Sequence, residues 1–345
     1  MSKYSFYNDY SEGAHPKILQ LLQETNDRQE TGYGLDSYCL QASTLIKQAV
    51  GNQKVEVHFV SGGTQANLTC LSSMLNSYQA VIAPTSGHIS LHEAGAIEST
   101  GHKIIEVKVE AGKLTVAEIE PIVLAHEDEH MVQPKVVSIS NPTELGTLYT
   151  KGELTALSNY CHQHDLYLYL DGARLGSALC SPENDLTLPD IAQLVDMFYI
   201  GGTKNGALLG EAIVICHPDL QKNFRIHIKQ RGGLLAKGRV MGLQFMALFT
   251  DNLYFDLAKH ANAMATRIAK GISDLGFKFL TDSTTNQIFP ILPDALITTL
   301  QKDYGFYVWS KVDQDQSVIR LVTSWATPEE KVDEFLNFTS QAKKP

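Results

Sequence analysis

No apolar run in this sequence approaches the roughly 20 residues needed to cross a bilayer, and the opening MSKYSFYNDYSEG carries no hydrophobic signal core. A cytoplasmic protein with no membrane partner is expected. Cations are in the minority, 28 Lys and Arg against 38 Asp and Glu, for a formal charge of −10. They form no cluster that could follow a phosphate backbone, which excludes nucleic acid as a partner. Cys39, Cys70, Cys161, Cys180 and Cys216 are scattered without a CxxC pair. Neither a disulfide framework nor a zinc ribbon is expected, and the thiols read as small packed hydrophobes. Internal repeats, low-complexity tracts and long Pro/Ser linkers are also missing.

What is present is a 345-residue chain that is 43% apolar, enough to bury a large core. From about residue 16 to residue 216, short apolar runs alternate with amphipathic segments of helix length. That alternation builds a mostly parallel sheet with helices on both faces, an α/β domain. The predicted strands are Val55–Val60, Ala80–Ala83, Lys103–Glu106, Lys135–Ser140, Leu166–Leu170, Met197–Ile200 and Ala212–Cys216. A helical stretch from about Leu243 to Ile272 then leads into Phe277–Leu280, Gln287–Ile291, Tyr307–Lys311 and Ile319–Thr323. A closing helix starts at Thr327-Pro328-Glu329, a cap followed by proline at the first helical position. The expected division is an arm (1–15), a large domain (16–245) and a small α+β domain (246–345).

Open sheets of this kind bind ligands beyond the carboxyl ends of their strands, so the residues there carry the functional reading. Leu166–Leu170 delivers Asp171-Gly172-Ala173-Arg174. A buried Asp171 needs a cationic partner, such as a protonated pyridinium nitrogen, which the carboxylate would keep charged. The plainer alternative is an Asp capping a turn. Met197–Ile200 ends in Gly201-Gly202-Thr203-Lys204, where glycines admit a ligand close to the backbone. A partly desolvated Lys204 is a nucleophile toward an aldehyde; otherwise it is an exposed loop lysine. Ser61-Gly62-Gly63-Thr64 joins a strand to a helix and offers free N–H groups to an anion. With neither GxGxxG nor GxxxxGK[ST], a monophosphate suits this turn better than a nucleotide. His88, after Ala80–Ala83, reaches the same sheet edge and could lie on a cofactor ring.

Taken in order, these pieces resemble the low-specificity L-threonine aldolases, a family of fold-type I enzymes that use pyridoxal 5′-phosphate. The resemblance spans nearly the whole chain. It rests on Gly32-Tyr33-Gly34, Gly63-Thr64-Gln65-Ala66-Asn67, His88 with Glu93-Ala94-Gly95, Asp171-Gly-Ala-Arg174, Lys204, and Ile319-Arg320-Leu-Val-Thr323. It implies an aspartate aminotransferase-like fold with a seven-stranded sheet. Lys204 would form the Schiff base to the cofactor, Asp171 would pair with the pyridine nitrogen and His88 would stack on the ring. Gly63, Thr64 and Thr203 would bind the phosphate, and Arg174, Arg320 and Asn8 would hold the substrate carboxylate. The implied reaction is cleavage of an L-β-hydroxy-α-amino acid to glycine and an aldehyde, in a homodimer or homotetramer with shared sites.

The chain departs from the family's pattern at three places. Many relatives carry Ser where Asn8 stands. Many carry a histidine after the Lys135–Ser140 strand, where this chain has Asn141-Pro142-Thr143-Glu144, so the base is either His88 or Glu144. The phosphate-binding arginine lent by a neighbouring subunit has no direct counterpart, and Lys237 and Arg239 are the nearest candidates. Two other readings stand beside this one. The same apparatus could run β-elimination or another amino-acid transformation. His126-Glu-Asp-Glu-His130 matches the zinc pattern HExxH, but its charged setting argues for a solvated helix end and no metal.

Overall fold

The runs bounded by turn residues do form strands, and they assemble into one seven-stranded sheet. Its order is Glu56–Val60, Glu211–Ile215, Met197–Gly201, Tyr167–Asp171, Gln133–Ser140, Gln79–Pro84 and Lys103–Val107. All neighbours are parallel except Glu211–Ile215, which runs antiparallel to both of its partners. The central strands are buried on both faces, which is why they read as unbroken apolar runs rather than alternating ones. Helices cover the two faces as separate apolar clusters, one around Ile82, Leu168 and Phe198, the other around Val81, Tyr169 and Tyr199. The computed structural model describes residues 3–343, so the outermost two residues of the expected arm and of the expected small domain lie outside the described part.

The helical stretch expected from Leu243 to Ile272 is two helices, Arg239–Leu248 and Leu253–Asp274. Between them Asp251 and Asn252 adopt φ of 53° and 62°, a left-handed conformation that short polar side chains tolerate and that stops a helix. The second helix carries residues of two cores. Leu253, Tyr254 and Leu257 pack on the large sheet, whereas Met264 to Ile272 pack with Phe306, Ile319 and Phe335. This third core lies against a four-stranded antiparallel sheet of Gln287–Ile288, Ile291–Pro293, Tyr307–Lys311 and Gln316–Val322. The strand expected at Phe277–Leu280 is reduced to a single bridge between Phe279 and Pro290. Pro290 has no N–H to extend the ladder. At the other end of the chain Tyr4–Ser5 pairs with Tyr304–Gly305, and Phe6 enters the third core. We propose an arm, a large domain and a small domain, as expected, with the passage between the two cores made along helix Leu253–Asp274, beyond the expected boundary at residue 245, since Ala247 and Leu248 still pack in the large core.

Candidate active site

Three strand ends meet at one edge of the large sheet. Asp171 closes Tyr167–Asp171, Gly201 closes Met197–Gly201, and Ser140 closes Gln133–Ser140. The turns bearing Asp171 and Lys204 touch through their main chains. Gly201 N donates to Gly172 O at 3.0 Å, and a Cβ on Gly201 would lie 2.1 Å from Ala173 O. Only glycine permits that approach. Lys204 therefore leaves the turn beside the Asp171 turn, and both residues line a cavity with Gly63, His88, Glu144 and Tyr199.

The acids on this wall are held by donors. Asp171 is 7% exposed and accepts from Tyr199 Oη at 2.6 Å, Ala173 N at 2.9 Å and Asn67 Nδ2 at 3.0 Å. Burial and the Asp171 charge push the Tyr199 hydroxyl well up, so it remains a donor. The same Asn67 amide donates to Glu93 Oε1 at 2.7 Å, while Tyr169 Oη donates to Asn67 Oδ1 and fixes which way the amide faces. Glu93 Oε1 in turn lies 2.8 Å from His88 Nδ1, orienting the imidazole. Glu144 Oε1 accepts from His88 N at 3.0 Å and Ser140 Oγ at 2.9 Å. Burial first, then the Asp171 charge, raise the Glu144 carboxyl above its ordinary range. Desolvation, reinforced by the neighbouring Arg174, lowers the proton affinity of Lys204. Beneath the lysine turn Glu211, paired across the sheet with Gly201, accepts from Gly202 N at 2.9 Å and is pushed up to about 7, chiefly by burial.

A second cavity, about 420 Å³, shares His88, Glu144, Arg174 and Lys204 with the first and extends to Tyr10, Gln287, Tyr307, Trp309 and Arg320. Its two arginines differ. Arg174 makes a two-pronged ion pair with Asp9, Nε to Oδ2 at 2.7 Å and Nη2 to Oδ1 at 3.1 Å. Burial works against the Asp9 charge, but Arg174, Lys204 and the Asn286 amide outweigh it and hold the carboxyl low. Arg320 has no acid among the described residues within ion-pair reach. Its guanidinium lies 5.0 Å from the Tyr307 ring centre and 5.1 Å from that of Trp309; Nη2 donates to Tyr7 O at 3.4 Å, and Nε is buried without a partner among the described residues.

The fold thus gathers Lys204, Asp171, His88, Glu144, Gly63, Arg174 and Arg320 around one space. Thr64 stands exposed on the first turn of helix Gly63–Met74, next to Gly63. Thr203 is turned aside, its Oγ1 accepting from Gly210 N at 3.1 Å. Asn8 caps its own turn, accepting from Tyr10 N and Ser11 Oγ at 3.0 Å, while its neighbour Asp9 reaches the site. Arg239 is occupied within the chain, donating to Thr25 O and Arg28 O and lying over Tyr38, whereas Lys237 is exposed. His126 to His130 lie past the end of helix Val116–Ala125, and no group of three metal-ligating side chains occurs among the described residues. Sequence reasoning missed Asp9, Asn67, Tyr199, Glu211 and Gln287. The signal for Asn67 was present, since it ends the Gly63–Asn67 turn and lies on the helix that turn opens.

The β-eliminating lyase family model matches residues 19–295. The low-specificity L-threonine aldolase of Pseudomonas aeruginosa is 33% identical over 342 residues, covering 95% of each chain. A solved threonine aldolase from Leishmania major superposes with a TM-score of 0.97 at 49% identity, covering 98% of this chain and 99% of that one. Aspartate aminotransferase from Thermus thermophilus, at 14% identity and a TM-score of 0.73, shares the fold over 99% of this chain and 91% of its own. The chain belongs to the β-eliminating lyase family, as a threonine aldolase-like lyase of fold-type I whose cofactor is pyridoxal 5′-phosphate.

Proposed function

We propose that this enzyme cleaves an L-β-hydroxy-α-amino acid of the threonine type to glycine and an aldehyde. The observation that carries the reading is the meeting of three groups on one space: a lysine of lowered proton affinity, a buried aspartate, and an arginine with no acid among the described residues within ion-pair reach. The residues fit the cofactor. Among the described residues Asp171 has three neutral donors and no cation in ion-pair reach, which suits a protonated ring nitrogen. When bound, pyridoxal phosphate supplies an electron sink for the pair released as the Cα–Cβ bond breaks.

The chain's own side chains supply the rest. Lys204 holds the cofactor's aldehyde carbon, Asp171 faces the ring nitrogen and His88, steered by Glu93, lies on the ring. Gly63 and Thr64 hold the phosphate, while Thr203, expected beside them, braces the lysine turn against Gly210. Arg320 takes the substrate carboxylate, a task suited to a guanidinium with open N–H groups, and Arg174 and Asn8 support it from the other side. Glu144 removes the β-hydroxyl proton, with His88 as the alternative base. Its raised affinity brings the carboxylate closer to the operating pH, where a general base works best. A homodimer or homotetramer with shared sites, Lys237 facing a partner's phosphate, and a cytoplasmic location complete the proposal.

Incubation with L-threonine tests it: glycine and acetaldehyde are expected. A protein that instead forms only pyruvate and ammonia from a β-substituted alanine is an eliminating enzyme, and the proposal fails. Borohydride reduction followed by peptide mapping should place the label on Lys204, and sedimentation should show active species no smaller than a dimer.

A further inference from the structure

Gln287 is 1% exposed, yet its Oε1 has no hydrogen-bond partner among the described residues. A buried amide oxygen left open costs about 1–3 kcal/mol, so its retention calls for a donor that arrives from outside the fold. Gln287 lines the larger cavity together with Lys204, Glu144 and Arg320. In the small sheet it stands opposite Val322, two residues along from Arg320, so the two side chains project from one face. Arg320 Nε is likewise buried and unpaired. One wall therefore presents an open acceptor beside an open donor.

This inference rests on the function proposed above. In a β-hydroxy-α-amino acid the carboxylate has no proton to give and is matched to Arg320. The α-nitrogen is taken up at the cofactor end, near Lys204. The one remaining donor is the β-hydroxyl. We propose that Gln287 is the specificity-determining residue for that hydroxyl, its side-chain amide hydrogen-bonding the substrate's β-oxygen. In the bound substrate Oε1 accepts from the hydroxyl; for cleavage that proton turns to Glu144, and Nε2 donates to the β-oxygen as it becomes a carbonyl. An amino acid without the hydroxyl leaves the amide unpaired and is rejected for that reason.

The test compares L-threonine with L-valine, which replaces the hydroxyl by a methyl group at nearly constant shape. Affinities of both are read from the visible spectrum of the cofactor-loaded enzyme on mixing, in wild type and in Gln287→Met. The expected result is a preference for threonine in wild type that falls by about tenfold in the variant, through weaker threonine binding with valine little changed. The melting temperature of Gln287→Met should stay level or rise, since the change removes an unpaired buried polar group. An unchanged threonine-to-valine ratio, equal weakening of both ligands, or a variant that melts lower or fails to fold each overturns the proposal. The readout is binding, so a wild type that discriminates but releases no glycine would refute the proposed reaction and leave this assignment standing.

Discussion

The two walls of the cleft differ in how their polar groups are employed. On the wall built by the large sheet the acids face donors and the half-buried arginine faces an acid: Asp171 toward Tyr199, Asn67 and Ala173 N, Glu93 toward Asn67 and His88, Arg174 toward Asp9. On the wall built by the small sheet, Arg320 meets aromatic faces and, through Nη2, the Tyr7 carbonyl instead of a carboxylate, and Gln287 Oε1 has no partner among the described residues. Partnered groups hold their positions before any ligand arrives, as an apparatus for gripping a cofactor requires. Unpartnered groups gain most from a ligand, as substrate recognition requires. Aromatic faces and a single main-chain carbonyl hold the guanidinium without neutralising it, so the charge of Arg320 stays available for a carboxylate.

The largest expected effect is on the first wall. Lys204→Ala should abolish turnover and leave no amine for borohydride to trap at that position; retained activity would dissolve the distinction at its root. Glu144→Gln is next, with kcat expected to fall about 10²-fold or more and cofactor binding unchanged. In wild type kcat/KM should fall on acidification through the raised Glu144 value, and that acid limb should vanish in the variant. The sign for stability follows from the same shift. A carboxyl whose folded value lies above its ordinary 4.5 contributes stability that is complete below 4.5 and lost as pH rises through the folded value. Glu144→Gln should therefore melt higher, relative to wild type, at pH 8 than at pH 4.

Asp9→Asn strips Arg174, half-buried on the cleft, of its counter-charge and should lower stability by about 1.5–3 kcal/mol, read by denaturant titration. A loss below about 1 kcal/mol would mean that Arg174 is as free as Arg320. The smallest effect belongs to the second wall: Trp309→Leu should raise KM for threonine by about two- to fivefold with kcat and cofactor affinity unchanged, the measure of one aromatic face. A fall in kcat alone would show that Trp309 acts on the chemistry and not on the arginine.

The first wall was largely legible in the sequence, and the second was not. Asp171, Lys204, His88 and Gly63 each follow an apolar run, and the position just beyond a buried strand is where α/β sheets place ligands. The partners that hold them are harder to find. Asp9 meets Arg174 across 165 residues, and Tyr199 is one aromatic in a run buried throughout, so no local pattern marks either as polar machinery. Tyr307 and Trp309 lie on an edge strand exposed along most of its length, where their spacing resembles ordinary surface alternation. The interrupted helix at residues 249–252 was hidden because Asp251 and Asn252 also fit the polar face of an unbroken one.

The contact of Gly201 with the Ala173 carbonyl has a consequence for how this protein can change. The spacing between the amine-bearing loop and the acid-bearing loop is set by main-chain atoms in van der Waals contact, like a gauge block between two jaws. Substitutions in the surrounding core can repack without altering that separation, whereas a single methyl group at position 201 would force the jaws apart.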